Sequence, residues 1–314
     1  MVDYPITSLE LGMFFPDEEA CRAYLALLRW PDGFRCPSCS GEDYWMTDRA
    51  LYHCRACHHQ TSVTAGTLFM DTHLRLRLWF EATWHVTSQK YGASALGLQR
   101  ALGLGSYRTA WNLLHKFRRA MVRPGRDRLE GVVEVDETFI GGPRSGKRGR
   151  GAEGKALVVI AVQESEQKIG RIRILRVADA SGPSLKAAVA QMVAPGARVC
   201  TDNWSGYKGL ESLGYEHAVI RAAQTENKNL LPMVNRVASL VKRWLLGTHQ
   251  GAVAHSHLDY YLDEFTFRFN RRTSGSRGLL FYRLLSQAVA IEPVPAKLLI
   301  GGRGNIKPQP IGVT

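Results

Sequence analysis

Apolar residues recur at helical spacing through the first part of the chain and at alternating spacing through its middle. Asp17-Glu18-Glu19-Ala20 opens an acidic turn, and Cys21, Tyr24, Leu25, Leu27 and Leu28 follow on one side, which predicts helix within residues 1–30. Leu74, Leu78, Phe80 and Trp84 predict a second helix, and Ser94–Leu102 and Ser106–Met121 two more around the turn Gly103-Leu104-Gly105. Helix, short glycine turn, helix is the order of a helix-turn-helix. The last helix carries Arg108, Lys116, Arg118 and Arg119 beside Trp111, Leu114 and Phe117, so a DNA-contacting element competes with a plain helical hairpin that has a solvated basic face. Arg123-Pro124-Gly125 breaks the pattern. Beyond Glu130 the predicted strands are Val132–Ile140, Leu157–Gln163 and Arg171–Val177, then a helix at Ser184–Met192, strands at Arg198–Thr201 and His217–Ala222, and helices at Leu231–Leu246 and Asp259–Phe269. Three consecutive strands on short connections form a meander, so the expected fold is α/β with a mixed sheet and flanking helices.

The 314 residues suit about two domains. A hydrophobic fraction of 45% excludes wholesale disorder. The longest purely apolar run, Ala156 to Val162, is far below the ~20 residues of a membrane span. Met1–Glu10 shows no secretory signal, so the expected compartment is the cytoplasm. Lys and Arg outnumber Asp and Glu 41 to 28, a formal charge of +13, which points to a polyanionic partner.

Two C-x-x-C pairs, Cys36/Cys39 and Cys54/Cys57, are separated by fourteen residues. Each pair can bring two thiolates to one ion from one side, and two pairs complete a tetrahedron, the pattern of a zinc ribbon. Four thiolates close the site, so the expected Zn²⁺ is structural. A redox or disulfide pair is the alternative, disfavoured in a reducing compartment. Short strands are expected at Tyr44–Thr47, Ala50–Tyr52 and Gln60–Val63. Cys21 and Cys200 read as core residues.

Gly141–Lys155 is glycine-rich and basic, with Arg148 and Arg150 as candidate phosphate contacts. It approaches a Walker A loop, but Arg148 stands where Ser or Thr is needed. Asp136 lies inside an apolar strand, and Asp202 follows the strand Arg198–Thr201 at its carboxyl end, where ligands collect in α/β sheets. Two such carboxylates on adjacent strands form a hard-oxygen site suited to Mg²⁺; an edge or turn aspartate is the bland alternative for each. The helix Leu231–Leu246 offers Asn235 as a neutral oxygen donor. Lys242, seven residues on and on the same face, could hold a phosphate.

Taken with the motifs RWPDGFRCPSC, YHCRAC, TAGTLF, VEVDETFIGG, TDNWSGY, LPMVNRVASLVKRWLLGTHQG and HLDYYLDEFTFRFNRR, these features make the chain resemble insertion-sequence transposases of the IS1595 type, from about Phe14 to Arg272. The resemblance implies an ISXO2-like, RNase H-like catalytic domain of the DDE class behind a zinc ribbon. Asp136 and Asp202 would be its aspartates, Asn235 its third position and Lys242 its trailing lysine. Asn235 departs from a plain DDE set and leaves one negative charge fewer; Glu226 and Glu264 are the rival carboxylates. The implied domains are residues 1–70 (helix and ribbon), 71–125 (helical DNA-binding region), 126–290 (catalytic domain) and 291–314 (tail).

The implied activity is metal-dependent cleavage at transposon inverted-repeat ends, then transfer of the freed 3′-hydroxyl into target DNA. Two Mg²⁺ or Mn²⁺ ions would serve it. Double-stranded DNA, both ends and target, is the expected partner, bound by a homo-oligomer at the bacterial nucleoid with no membrane involved. Arg108, Asn112 and Lys116 are candidate base or phosphate contacts. A zinc-ribbon DNA-binding regulator with an inert catalytic body, and a nuclease or resolvase that cuts without joining, are the competing readings.

Overall fold

The computed structural model describes residues 2–122, 125–141, 155–221, 229–251 and 253–301. The chain forms two compact units, one from Met1–Arg123 with Ser274–Ile306 and one built on Pro124–Thr273.

In the first unit, α1 (Ser8–Phe14) and α2 (Glu18–Arg29) start at side-chain caps: Thr7 accepts from the Glu10 amide and Asp17 from the Ala20 amide. An antiparallel three-stranded ribbon follows, β1 (Tyr44–Met46), β2 (Tyr52–Cys54) and β3 (Gln60–Thr61). Then come α3 (Leu76–Ser88), α4 (Ala95–Ala101) and α5 (Tyr107–Ala120), the last two capped by Ser94 and Ser106. No side chain caps α3 locally, and the Glu18 carboxylate instead accepts from the Leu76 and Arg77 amides at 2.9 Å each.

Helix α9 (Arg277–Ala290) packs on α2, α3 and α5, and α10 (Ala296–Ile300) packs on α5. Phe281 of α9 stands 5.8 Å from both Phe80 and Phe15, ring centre to ring centre. Gly278 lets the start of α9 close on residues 4 and 5, because a Cβ there would collide with the Pro5 carbonyl and the Tyr4 ring. Residues 274–290, read from sequence as the end of the catalytic domain, therefore close the first unit. Residues 291–301, read as tail, bury Ile291, Val294 and Leu299. The apolar face of α9 fits an aromatic cluster more than 190 residues earlier, which no local pattern announces.

The second unit holds β4 (Val132–Ile140), β5 (Ala156–Ser165), β6 (Lys168–Val177), α6 (Gly182–Met192), β7 (Arg198–Thr201), β8 (Glu216–Val219), α7 (Pro232–His249) and α8 (Leu258–Phe269). Its sheet has the order β6-β5-β4-β7-β8. The first three strands form an antiparallel meander, while β7 is parallel to β4 and β8 to β7, so the expected mixed sheet with flanking helices is what forms. Alternation sorts the faces. Val133, Val135, Val159, Ala161 and Val199 pack on Leu185, Ala188 and Val189 of α6. Val158, Ile160, Val162, Ile172 and Ile174 pack on α7 and α8. Buried on both faces, β5 reads as a continuous apolar run for that reason.

The open edge of β6 is blocked by side chains from the end of α8. The Asn270 carboxamide accepts from the Ile172 amide at 2.7 Å and donates to its carbonyl at 3.0 Å. Arg272 donates to the Gly170 and Ile169 carbonyls, and Arg268 pairs with buried Glu264 at 2.8 Å. These contacts give the FRFNRR run a bracing role and occupy backbone groups that would otherwise recruit another strand. Among the described residues, no helix is long and apolar enough to cross a membrane.

Candidate active site and zinc centre

The two cysteine knuckles are built alike. The Cys36 amide donates to the Gly41 carbonyl and the Ser40 amide returns to Cys36; the Cys54 amide donates to the His59 carbonyl and the His58 amide returns to Cys54. Ser40 and His58 both take left-handed backbone, φ 62° and 60°, directly after the second cysteine of each pair. The four Sγ atoms lie within 4.8 Å of one another, with Cys36–Cys57 and Cys39–Cys54 both at 3.6 Å. Four sulfurs about 2.3 Å from a tetrahedral Zn²⁺ stand roughly 3.8 Å apart, so the cluster fits the ion with little movement. Burial pushes the Cys36 thiol up, but the Cys39 and Ser38 amides and the neighbouring thiols outweigh it and bring its pKa down to about 7, while the Gly41 hydrogen bond favours the Cys39 thiolate and the contacts with the Cys57, Cys54 and Cys36 sulfurs override it and hold that thiol up. Gly41 sits close against the cluster: a Cβ there would lie 3.3 Å from Cys39 Sγ and 3.5 Å from Cys54 Sγ.

In the second unit, β4 and β7 pair in parallel with Val132 opposite Arg198, Val133 opposite Val199 and Glu134 opposite Cys200. The pairing ends there; Asp136 stands two residues beyond Glu134 within β4, and Asp202 two residues beyond Cys200, just past the end of β7, so a register continued that far would bring them level. Level residues of parallel strands share a face, and this one is the α7 side. The turn after Asp202 is held by its own side chain, Oδ1 accepting from the Trp204 amide at 2.9 Å, while Thr201 Oγ1 donates to the Asp202 carbonyl at 2.9 Å. Asp136 and Asp202 are both half-buried.

Helix α7 lies over β4 and β5. Its first turn meets Glu134, whose Oε2 accepts from the Val234 amide at 2.9 Å, and further along Lys242 Nζ donates to Thr138 Oγ1 at 2.6 Å. Burial and the neighbouring Lys155 lower the Lys242 pKa, and Asp136 pulls it back up. Asn235 is exposed, and its Nδ2 donates to Asn229 Oδ1 at 2.5 Å, leaving the carboxamide oxygen as its acceptor end. On the opposite face, fully buried Tyr207 donates to Glu137 Oε2 at 2.9 Å. Burial first, then the Glu137, Asp136 and Asp202 carboxylates, raise the phenol pKa.

Residues 128–270 match the ISXO2-like transposase domain, and residues 16–60 match the transposase zinc-ribbon domain. By these two domains the chain belongs to the IS1595 transposase family. A relative from Halobacterium salinarum, an uncharacterized protein in transposable element ISH50, is 28% identical over 279 residues, covering 81% of this chain and 91% of its own. Among solved structures, a chain of the simian T-cell lymphotropic virus intasome in complex with PP2A regulatory subunit B56 gamma aligns with TM-score 0.34 at 15% identity, covering 65% of this chain and 72% of that one.

Other residues of this transposase-family chain that the sequence singled out fall in varied surroundings. Arg108 is exposed in the first turn of α5. Lys116 is half-buried, its ammonium 5.5 Å over the Trp79 ring, with its pKa lowered by burial. Asn112 is also half-buried. Arg148, Arg150 and Glu226 lie outside the described residues. Glu264 is 1% exposed and committed to Arg268. Trp204 packs against the α6 face of the sheet and donates to the Ala180 carbonyl at 3.1 Å, a packing role. Sequence reasoning passed over Glu134, Thr138, Glu137 and Tyr207. The acidic run around Asp136 was the available signal for the two glutamates, and nothing marked Thr138.

Proposed function

We propose that the chain is a metal-dependent DNA transposase that cleaves at inverted-repeat ends and joins the freed 3′-hydroxyl to target DNA. The observation that supports this reading is the parallel pairing of β4 with β7, whose last paired residues, Glu134 and Cys200, each stand two positions before an aspartate, Asp136 and Asp202, on the side that α7 covers. The strand order, an antiparallel meander extended by two parallel strands beyond β4, supports an RNase H-like body for the catalytic domain.

The donors suit hard divalent ions, Mg²⁺ or Mn²⁺: two carboxylates and, from Asn235, one carboxamide oxygen. Ions bound there would activate the attacking oxygen and relieve charge at the leaving oxygen. Asp136 and Asp202 bind and orient; Lys242 offers a cation to a phosphate on the same side. Zn²⁺ held by Cys36, Cys39, Cys54 and Cys57 fixes the ribbon. The ribbon, the α4–α5 pair and Arg108 position DNA, and a homo-oligomer holds two ends at once. The deciding experiment incubates a labelled inverted-repeat duplex with the zinc-loaded protein and Mg²⁺, then assays joining to a target plasmid. Cleavage with joining supports the reading. Cleavage without joining makes the chain a nuclease. Binding without any nick makes it a regulator, the second reading, which the neutral Asn235 favours.

A further inference from the structure

We propose that Glu134 and Thr138 are positioning residues that dock α7 lengthwise on β4 and so set Asn235 and Lys242 beside Asp136. The proposal rests on the metal-site reading above. Two polar anchors join the elements: Glu134 Oε2 takes the Val234 amide at 2.9 Å, and Thr138 Oγ1 takes the Lys242 ammonium at 2.6 Å. Between the anchors β4 advances four residues, roughly 13 Å at about 3.3 Å each. Over the same interval α7 advances eight residues, about 12 Å at 1.5 Å each. The two rises agree, so helix and strand run side by side in the same sense. Midway between the strand anchors is Asp136, which shares their face because alternate residues of a strand do. Asn235 follows the first helix anchor by one residue, and Lys242 is the second.

Apolar packing specifies this register less sharply than directional bonds do. Val234, Val237 and Val241 bury α7 against the sheet, but hydrophobic contact is non-directional and tolerates sliding and rotation. The polar anchors do not. Leu231 gives α7 no side-chain cap, and Pro232 opens the helix without an N–H, so the first free amides need an outside acceptor. Glu134, 7% exposed, supplies it and places a carboxylate at the positive end of the helix.

The experiment uses full-length, zinc-loaded protein and three readouts: Mn²⁺ binding by calorimetry, end cleavage, and hydrogen exchange of the Val234 amide. Thr138→Val is expected to keep the fold and DNA affinity while lowering Mn²⁺ affinity and cleavage on the order of 10- to 100-fold, as outer-shell losses do. Thr138→Ser should restore both. Glu134→Ala should speed Val234 exchange, and Glu134→Gln, which keeps an acceptor, should do so less. Wild-type Mn²⁺ binding and cleavage in both Thr138→Val and Glu134→Ala overturn the proposal. Should the unmodified protein neither bind Mn²⁺ nor cleave, the metal-site reading fails by itself. The docking is then judged on Val234 alone: faster exchange in Glu134→Ala supports it, and unchanged exchange overturns it.

Discussion

Tyr207 donates its phenolic hydrogen to Glu137 across 2.9 Å, and that single bond ties the turn after Asp202 to the strand that carries Asp136. The donor is fully buried, and its raised pKa keeps it protonated at neutral pH. Tyr207→Phe removes the bond without changing the ring. The expected cost is about 1 kcal/mol, because half-buried Glu137 can turn to water. Urea unfolding measures it, and a midpoint equal to wild type would show that the bond adds nothing. End cleavage should fall along with it, since the bond holds the two aspartate-bearing segments together.

The ribbon has little core besides Phe34, Cys36 and Cys54, with Trp30 and Tyr52 packed against them. Metal binding is therefore folding energy here, of the order of 10 kcal/mol for such sites. Chelation is expected to release one zinc per chain and to melt β1–β3 while the second unit keeps its structure. A colorimetric zinc assay beside circular dichroism tests this, and an unchanged ribbon after complete zinc loss would refute it. Gly41→Ala should weaken zinc retention, since the added methyl presses on the Cys39 sulfur at 3.3 Å.

Asp136→Ala and Asp202→Ala should each abolish end cleavage in Mg²⁺ and leave inverted-repeat binding intact, read by gel shift on the same duplex. Either variant cutting at the normal rate removes that aspartate from the site. At the third position the amide oxygen matters more than the charge: Asn235→Asp should stay active with tighter metal binding, and Asn235→Leu should be inactive. Full activity in the leucine variant would send the search to Glu226, because Glu264 is already engaged by Arg268 inside the second unit.

The elements were legible wherever the chain repeats a local period. Arg198–Thr201 is the same in sequence and structure, and the strand expected at Leu157–Gln163 lies within β5, which packs on both faces. The pairing of β7 with β4 was not legible, because a parallel register depends on contacts some 66 residues apart and carries no local mark. Glu134 was invisible as a helix cap for the same reason: its partner amide is 100 positions away. Of the candidate site, Asp136, Asp202, Asn235 and Lys242 could be named from sequence as candidates, while the parallel pairing of the strands that lead to the two aspartates needed the sheet.

Glu134 also predicts a pH effect. Burial raises its carboxyl above the ordinary 4.5, and the Val234 and Met233 amides offset this only in part. A carboxyl that holds its proton more tightly folded than unfolded adds stability below about pH 4.5, and that stability is lost as pH rises through the folded value. Stability should therefore decline over that window, and Glu134→Gln should remove this part of the decline. Urea midpoints of both proteins between about pH 4 and 7 decide it; parallel curves would show that Glu134 does not titrate there.

Arg108 and Lys116, two of the four Lys and Arg side chains of α5, should separate by burial. Arg108 is exposed in the first turn, so Arg108→Ala should weaken DNA binding and reduce the salt slope by about one, the loss of one phosphate contact, with little change in stability. Lys116 instead spends its ammonium on the Trp79 ring inside the first unit. Lys116→Ala gives up that contact and the packing of its stem, so the loss should appear in the unfolding midpoint. Salt-dependent binding isotherms and urea titrations on both variants form the test. If Lys116→Ala lowers the salt slope as much as Arg108→Ala does, the buried position of Lys116 opens when DNA binds, and the contact surface of α5 extends at least two turns beyond its amino end.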